Sequence, residues 1–339
     1  MKKNEATKHR EWHHGLLEID CDKVSRSIED FIREQVFQHF RKKGVVVGLS
    51  GGVDSAVVAA LSVRAIGKDR VTGLILPEKE SDPHSEHYAR KVADGLGIRW
   101  IKIDITPMLE IFHVYEDRET IVRRYFPEFG PSWKYRLVMP QNLLEKDRFN
   151  VASLEVQNNA EKVFSSRLSM EDYLGMVAAT NIKQRTRMIL LYFHAEKHNL
   201  LVCGTTNLPE TKQGFFVKHG DGGVDIEPIA NLYKTQVYQL ARHVDVPREI
   251  IDRTPTPDTF SFFVSDKEYY FCLTYEMLDL LLYAQTHPAC REKIKTGLGI
   301  DDGQMDRVFQ DFQYKERATA HIREMPPMAP IPEIATGVC

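Results

Sequence analysis

Val45-Val46-Val47-Gly48-Leu49-Ser50-Gly51-Gly52-Val53-Asp54-Ser55 is the stretch from which the rest of the chain can be placed. Three β-branched apolar residues in a row have the composition of a strand buried on both faces. Small and hydroxyl residues follow. From Ala56 a run of alanine, valine and leucine reads as helix. Strand, tight loop and helix in that order present backbone N–H groups and a helix N-terminus to an anion. Glycines let the backbone approach, and Ser50 and Ser55 add hydroxyl donors. Asp54 repels a phosphate unless a Mg²⁺ stands between them. No Gly-Lys-Ser/Thr follows, so this is not a Walker A loop, and no lysine is aimed at the β- and γ-phosphates. The pattern suits an enzyme that cradles a leaving pyrophosphate while the α-phosphate is attacked. An ordinary glycine turn is the plainer alternative.

The chain has 339 residues, 42% hydrophobic and 27% charged, with a formal net charge of −3. That is the make-up of a globular protein of one or two domains. It lacks the basic excess of a nucleic-acid binder. Cysteines 21, 203, 272, 290 and 339 form no C-x-x-C pair and are odd in number, which argues for a reducing, cytoplasmic setting over a disulfide framework. No apolar run is long enough to span a membrane, and the polar start, Met1 to His14, has no signal-peptide core. His13 and His14 are metal-binding candidates, but two histidines in a polar stretch are more often simply solvated.

Asp22 is the expected N-cap of a helix from about Lys23 to Lys43, with Val24, Ile28, Phe31, Ile32 and Phe40 on its packed face. A second strand is expected over 71–77, a helix over 83–95 and a third strand over 98–103. These alternating elements imply a parallel sheet with the ligand at the carboxyl ends of its strands. From about 115 to 170 the periodicity weakens among aromatics, charges and prolines, and this stretch reads as an insertion. Residues 171–198 read as a long helix, with a possible break near Thr180-Asn181. Leu200 to Gly204 reads as another buried strand, running into Thr205-Thr206-Asn207-Leu208-Pro209-Glu210.

The loop resembles that of the N-type ATP pyrophosphatases. Six segments in order then resemble the ammonia-dependent NAD synthetase family: SGGVDSA, NIKQRTRM, GTTNLPE, GFFVKHGDGGVDIEPI, LYKTQVYQLA and RTPTPD. The resemblance runs from about Val45 to Tyr275. It implies an α/β fold, a Rossmann-like parallel sheet flanked by helices (adenine nucleotide alpha hydrolase-like), with a largely helical insertion and C-terminal part. It also implies an N-terminal helical segment over 1–44, a main domain over 45–285 and a helical tail over 286–339. The activity implied is ATP-dependent amidation of deamido-NAD by ammonia through an acyl-adenylate. Gly48, Leu49, Ser50, Gly51, Gly52, Val53, Asp54, Ser55, Thr205, Lys234 and Thr256 would bind ATP. Asp54 and Glu210 would hold Mg²⁺, and Arg185, Lys218, Asp225 and His321 would bind the acid substrate. Leu76 and Pro77 would lie near adenine, and 218–223 reads as a mobile glycine-rich loop. No protein nucleophile is needed. A homodimer is implied, with ammonia free or delivered by a separate glutaminase partner, and neither nucleic acid nor membrane is involved.

The chain also departs from the family pattern. Leu208-Pro209 stand before Glu210, where proline could re-aim the acid. Residues 259–271 are unusually aromatic, and His321 is only a partial echo of the family's C-terminal His-Lys pair. Two readings therefore stay open beside the first. One is a related ligase acting on another carboxylate, and the other is a non-catalytic nucleotide-binding protein.

Overall fold

A computed structural model describes residues 15–145 and 151–330; His13, His14 and Cys339 lie outside them. Among the described residues, seven strands form two sheets. β1 (Val45–Gly48), β2 (Val71–Ile75), β3 (Arg99–Lys102) and β7 (Leu201–Cys203) pair in parallel in the order β3-β2-β1-β7. β4 (Lys134–Val138), β5 (Ser153–Gln157) and β6 (Val163–Arg167) form an antiparallel sheet in that order. The helices of eight or more residues are α1 (Cys21–Glu34), α2 (Val53–Ile66), α3 (Pro83–Leu96), α4 (Val114–Tyr125), α5 (Met170–His198), α6 (Lys234–His243), α7 (Tyr275–Thr286), α8 (Arg291–Leu298) and α9 (Asp302–Ala318).

The three valines of β1 show why the sheet is covered on both sides. All three are fully buried, Val45 and Val47 in one apolar cluster with residues of α1, α2 and α6, and Val46 in another with residues of α5. Successive strand residues point to opposite faces, so a strand with no polar alternate residue must be sandwiched. β1 pairs with β2 on one side and β7 on the other. The loop after β1 therefore lies where strand order reverses, the crevice in which open α/β sheets take their ligands.

Some local expectations are revised. Asp20, not Asp22, caps α1, accepting from the Lys23 backbone N–H at 3.1 Å. The α-helix ends at Glu34 and a π-helical turn over Gln35–His39 follows. That extra residue per turn shifts the phase, and Phe40 ends up 40% exposed; Phe31, before the turn, is 37% exposed at the edge of the packed face. α5 runs unbroken through Thr180, whose hydroxyl donates to the Met176 carbonyl at 2.7 Å.

The insertion is not largely helical. It holds α4, but its centre is the antiparallel sheet, while the part after 286 is helical as expected. The period-two signal was present at Tyr135 and Leu137 and at Leu154 and Val156, all buried. With only two buried residues in each run, the alternation is too short to stand out. These side chains share one core with Leu278 and Leu281 of α7 and Phe312 of α9, so the insertion is part of the body of the protein. Leu154→Ala is expected to lower stability by about 2–5 kcal/mol, the range for emptying a buried leucine site. Equilibrium urea unfolding checks this, and an unchanged midpoint would remove the insertion sheet from the common core.

Candidate active site

The turn after β1 is fixed by backbone geometry. Gly51 has φ +76°, and a Cβ there would stand 2.3 Å from the Ser85 carbonyl oxygen, so only glycine fits. The Ser55 hydroxyl accepts from the Ser50 backbone N–H at 3.3 Å and donates to the Gly52 carbonyl at 3.1 Å. α2 begins after Gly52 with no side-chain cap, which leaves first-turn N–H groups of the kind that attract anions.

Asp54 and Glu210, far apart in sequence, meet at one side chain. The Asn207 amide donates to Asp54 Oδ1 at 3.2 Å. Its Oδ1 accepts from the Glu210 backbone N–H at 3.2 Å, and the Glu210 carboxylate accepts from the Asn207 backbone N–H at 3.1 Å. The second and third bonds are a reciprocal cap of the short helix Leu208–Gln213. Pro209 sits in its first turn, where its missing N–H costs nothing. It leaves Glu210 turned towards Asn207.

Lys234, at the start of α6, ion-pairs with the other oxygen of Asp54. Its ammonium also lies 4.9 Å from the centre of the Tyr275 ring. Asp279 of α7 accepts from the Thr235 backbone N–H at 2.8 Å and so anchors this turn. Burial works against charge on Lys234, but Asp54 and Glu210 hold its pKa above the ordinary lysine value. Burial, then the charge of Asp54, raises Glu210 well above the usual carboxylate range. Asp266 is pushed up to about 6 by burial. One of its oxygens accepts from the Tyr275 hydroxyl at 2.9 Å, and the other has no hydrogen-bond partner.

Asp54, Glu210, Lys234 and Asp266 line a cavity of about 540 Å³, within the usual range for small-molecule sites. Gly48, Leu49, Ser50, Gly52, Val53, Asp54, Ser55, Thr205, Glu210, Lys234 and Thr256 all line it, as do Leu76 and Pro77. Gly51 is not a lining residue; its carbonyl accepts from Arg253 at 3.4 Å. Arg185, Lys218, Asp225 and His321 are not among the lining residues either. Arg185 Nε donates to the Lys218 carbonyl at 3.4 Å, and Lys218 Nζ to the His321 carbonyl at 2.7 Å, so three of them gather beside the cavity. Asp225 accepts from the Val202 N–H at 2.7 Å and the Tyr192 hydroxyl at 3.1 Å. The segment 217–223 is a compact turn in which Val217, Gly220 and Asp221 bond one another.

Sequence reasoning missed Asn207, Arg253, Asp266, Asp279 and Glu227. Asn207 carried a signal, an N-cap asparagine three residues before a glutamate. Arg253 donates to Asp82 at 3.0 Å and Ser85 at 2.8 Å and closes the outside of the loop at Gly51. Nothing local in the sequence announces that.

The loop, its paired acids and its lysine, at the carboxyl edge of a parallel sheet, define an α/β protein of the nucleotide-binding kind. The family model for NAD synthase matches residues 24–124 and 137–326. The chain is 43% identical over 311 residues to an NH(3)-dependent NAD(+) synthetase of Mesorhizobium japonicum, covering 92% of this chain and 97% of the relative. It is 41% identical over 319 residues to one of Rhizobium meliloti, covering 94% and 95%. A similar fold is seen in an NMN synthetase from Francisella tularensis, with a TM-score of 0.64 and 23% identity over 93% of this chain and 100% of that one. The chain belongs to the NAD synthase family and is a ligase of that family.

Glu227 lies beneath the loop that bears Thr205. A Cβ on Gly204 would stand 2.5 Å from its carboxylate, and one of its oxygens is buried without a partner. Burial raises it from 4.5 to about 7, against the opposing bonds from Thr206. A raised carboxylate pKa means that the folded state holds the proton more tightly. Its contribution is therefore complete below about 4.5 and is lost as pH rises through about 7. Glu227→Gln is expected to remove this slope and to be more stable than the parent at pH 8 by on the order of 3 kcal/mol. Thermal melts across pH 4 to 8 measure it; parallel curves for the two proteins would refute it.

Proposed function

We propose that the chain is an ammonia-dependent NAD synthetase, which amidates the nicotinate carboxylate of deamido-NAD at the expense of ATP. The observation that carries this reading is the pair Asp54 and Glu210, joined through Asn207 beside the glycine loop. Two carboxylates brought to one place, Asp54 in exchange for its ion pair with Lys234, would supply the hard oxygen ligands that suit Mg²⁺, with phosphate and water completing its shell. Among the described residues no group of three or more acids, histidines or cysteines could hold a metal unaided. When bound, Mg²⁺ would offset charge on the phosphate oxygens.

In this reading the loop amides and Ser50 hold pyrophosphate, Thr205 and Thr256 orient the nucleotide, and Leu76 and Pro77 border the base. A carboxylate oxygen of the acid attacks the α-phosphorus, and the bond to pyrophosphate breaks. Lys234 stands where it can leave Asp54 and meet the departing charge. Ammonia nitrogen then attacks the carbonyl carbon of the acyl-adenylate. AMP leaves with the bonding electrons and a proton is lost from nitrogen. Orientation and charge stabilisation supply the rate, so no side-chain nucleophile is needed. Ammonia arrives free or from a glutaminase partner, in a cytoplasmic setting.

Arg185, Lys218, Asp225 and His321 remain the proposed contacts for the acid substrate. Helical spacing puts Leu174, Arg185, Ile189 and Phe193 on one stripe of α5. Its three apolar members are 57%, 55% and 54% exposed. A homodimer packed on this stripe would cover the face from which Arg185 projects. Phe193→Asp is expected to convert a dimer to a monomer in sedimentation, whereas a wild-type monomer would discard the dimer.

The alternative of a different acid is favoured by one observation: these four residues are bonded outside the cavity. Pyrophosphate release with deamido-NAD and a panel of other carboxylic acids separates the two readings. Purified protein is expected to form AMP from ATP, deamido-NAD and ammonium. Asp54→Ala and Glu210→Ala are expected to lower that rate at least about 100-fold while remaining folded. No AMP from the wild type with deamido-NAD would end the NAD synthetase reading.

A further inference from the structure

Away from the acids and the glycine loop, the structure buries a second set of charges that the chemistry above does not use. Lys183 of α5 and Arg118 of α4 are fully buried, facing Glu78 and Glu80 from the loop after β2. Lys183 Nζ spends all three of its donors here, on Glu78 at 2.7 Å, Glu80 at 2.6 Å and the Thr259 carbonyl at 2.9 Å. Arg118 donates to Glu80 at 2.8 Å and to the same Thr259 carbonyl at 3.1 Å. Its guanidinium faces both the Tyr135 and the Phe260 ring, at 4.9 and 4.7 Å from their centres. The hydroxyl of Tyr135 donates to Glu80 at 2.9 Å, and that of Tyr115 to Glu78 at 2.7 Å. Two acids and two bases balance in charge.

Burial opposes ionisation of Glu80, but Arg118 and Lys183 outweigh it and hold its pKa below the ordinary value. Charges buried this completely are weak evidence for stability, since apolar packing of the same volume often serves as well. What the cluster does achieve is geometric. It pins two loops that line the cavity, 76–81 and 254–259, to each other through Lys183. Besides Lys183, the groups that hold these loops, Arg118, Tyr115 and Tyr135, come from the insertion.

We propose that Arg118 and Tyr135 are positioning residues for the nucleotide: the insertion acts on the ATP site by locking these two loops in register. The proposal rests on the reading that the cavity takes ATP, and its test does not depend on turnover. Arg118→Met removes the insertion's cation, and Tyr135→Phe removes one hydroxyl while keeping the ring contacts. For each, equilibrium binding of a non-hydrolysable ATP analogue and amide hydrogen exchange over residues 78–82 are measured well below the melting temperature.

Affinity at least tenfold weaker for Arg118→Met, a smaller loss for Tyr135→Phe and partial rescue by Arg118→Lys are expected. Exchange over 78–82 is expected to quicken in step. A folded variant with unchanged affinity overturns the proposal, whether or not its melting temperature has fallen. Weaker binding with unaltered exchange overturns it too. If Arg118→Met does not fold, Tyr135→Phe decides alone. Failure of the wild type to amidate deamido-NAD while it still binds the analogue would strike the substrate reading and leave this one standing.

Discussion

One amide side chain holds the centre of this molecule. Asn207 is fully buried and bonded at both ends, to Asp54 through its N–H and to the Glu210 backbone through its oxygen. Left alone, two acids facing each other repel, and burial raises the cost. The asparagine supplies a neutral donor where Lys234 supplies a charged one, and together they let the acids stay near the glycine loop. Each bond from such a donor to a charged acceptor contributes about 1.5–3 kcal/mol. The same few contacts tie together two strand ends and a helix start: β1 through Asp54, β7 through Asn207, and the turn that opens α6 through Lys234.

The rest of the fold supports that arrangement from two directions. The parallel sheet delivers the glycine loop and the Thr205 segment to one edge, with valines covered on both faces. The second core, shared by the insertion sheet and the C-terminal helices, stands behind the loops that complete the cavity. The aromatic run 259–271 belongs to this second core. Phe260 and Phe271 are buried in it, while Tyr269 and Tyr270 line the cavity. Its aromatic character therefore serves packing first and the shape of the pocket second.

Local pattern made part of this legible and hid the rest for identifiable reasons. The strand–loop–helix unit, the parallel sheet and the long helix α5 were readable because periodicity and composition act over a few residues. The loop positions and Thr205, Glu210, Lys234 and Thr256 could be placed by motif, and all but Gly51 line one cavity. The insertion sheet was not readable, because β4 and β5 each offer only two buried alternate residues and β6 none, while Arg136 and Glu155 pair at 2.8 Å on the other face. Phe31 and Phe40 were both assigned to a packed face; the π-helical turn rotates Phe40 off it, while Phe31, ahead of that turn, lies at the edge of the face. The partners of the Glu80 and Arg253 side chains lie tens to about two hundred residues away in the chain. No spacing rule reaches across such distances. Arg185, Lys218, Asp225 and His321 were named by resemblance alone, and their bonds beside the cavity belong to no pattern visible in sequence.

The account turns on whether Asn207 sets the two acids for a cation. Binding of Mn²⁺ in the presence of an ATP analogue, followed by electron paramagnetic resonance, tests it on Asn207→Ala beside the wild type. With the fold intact by circular dichroism, affinity should drop at least about tenfold, equivalent to 1.4 kcal/mol and no more than one such hydrogen bond. A folded Asn207→Ala protein that binds Mn²⁺ as tightly as the wild type would contradict it.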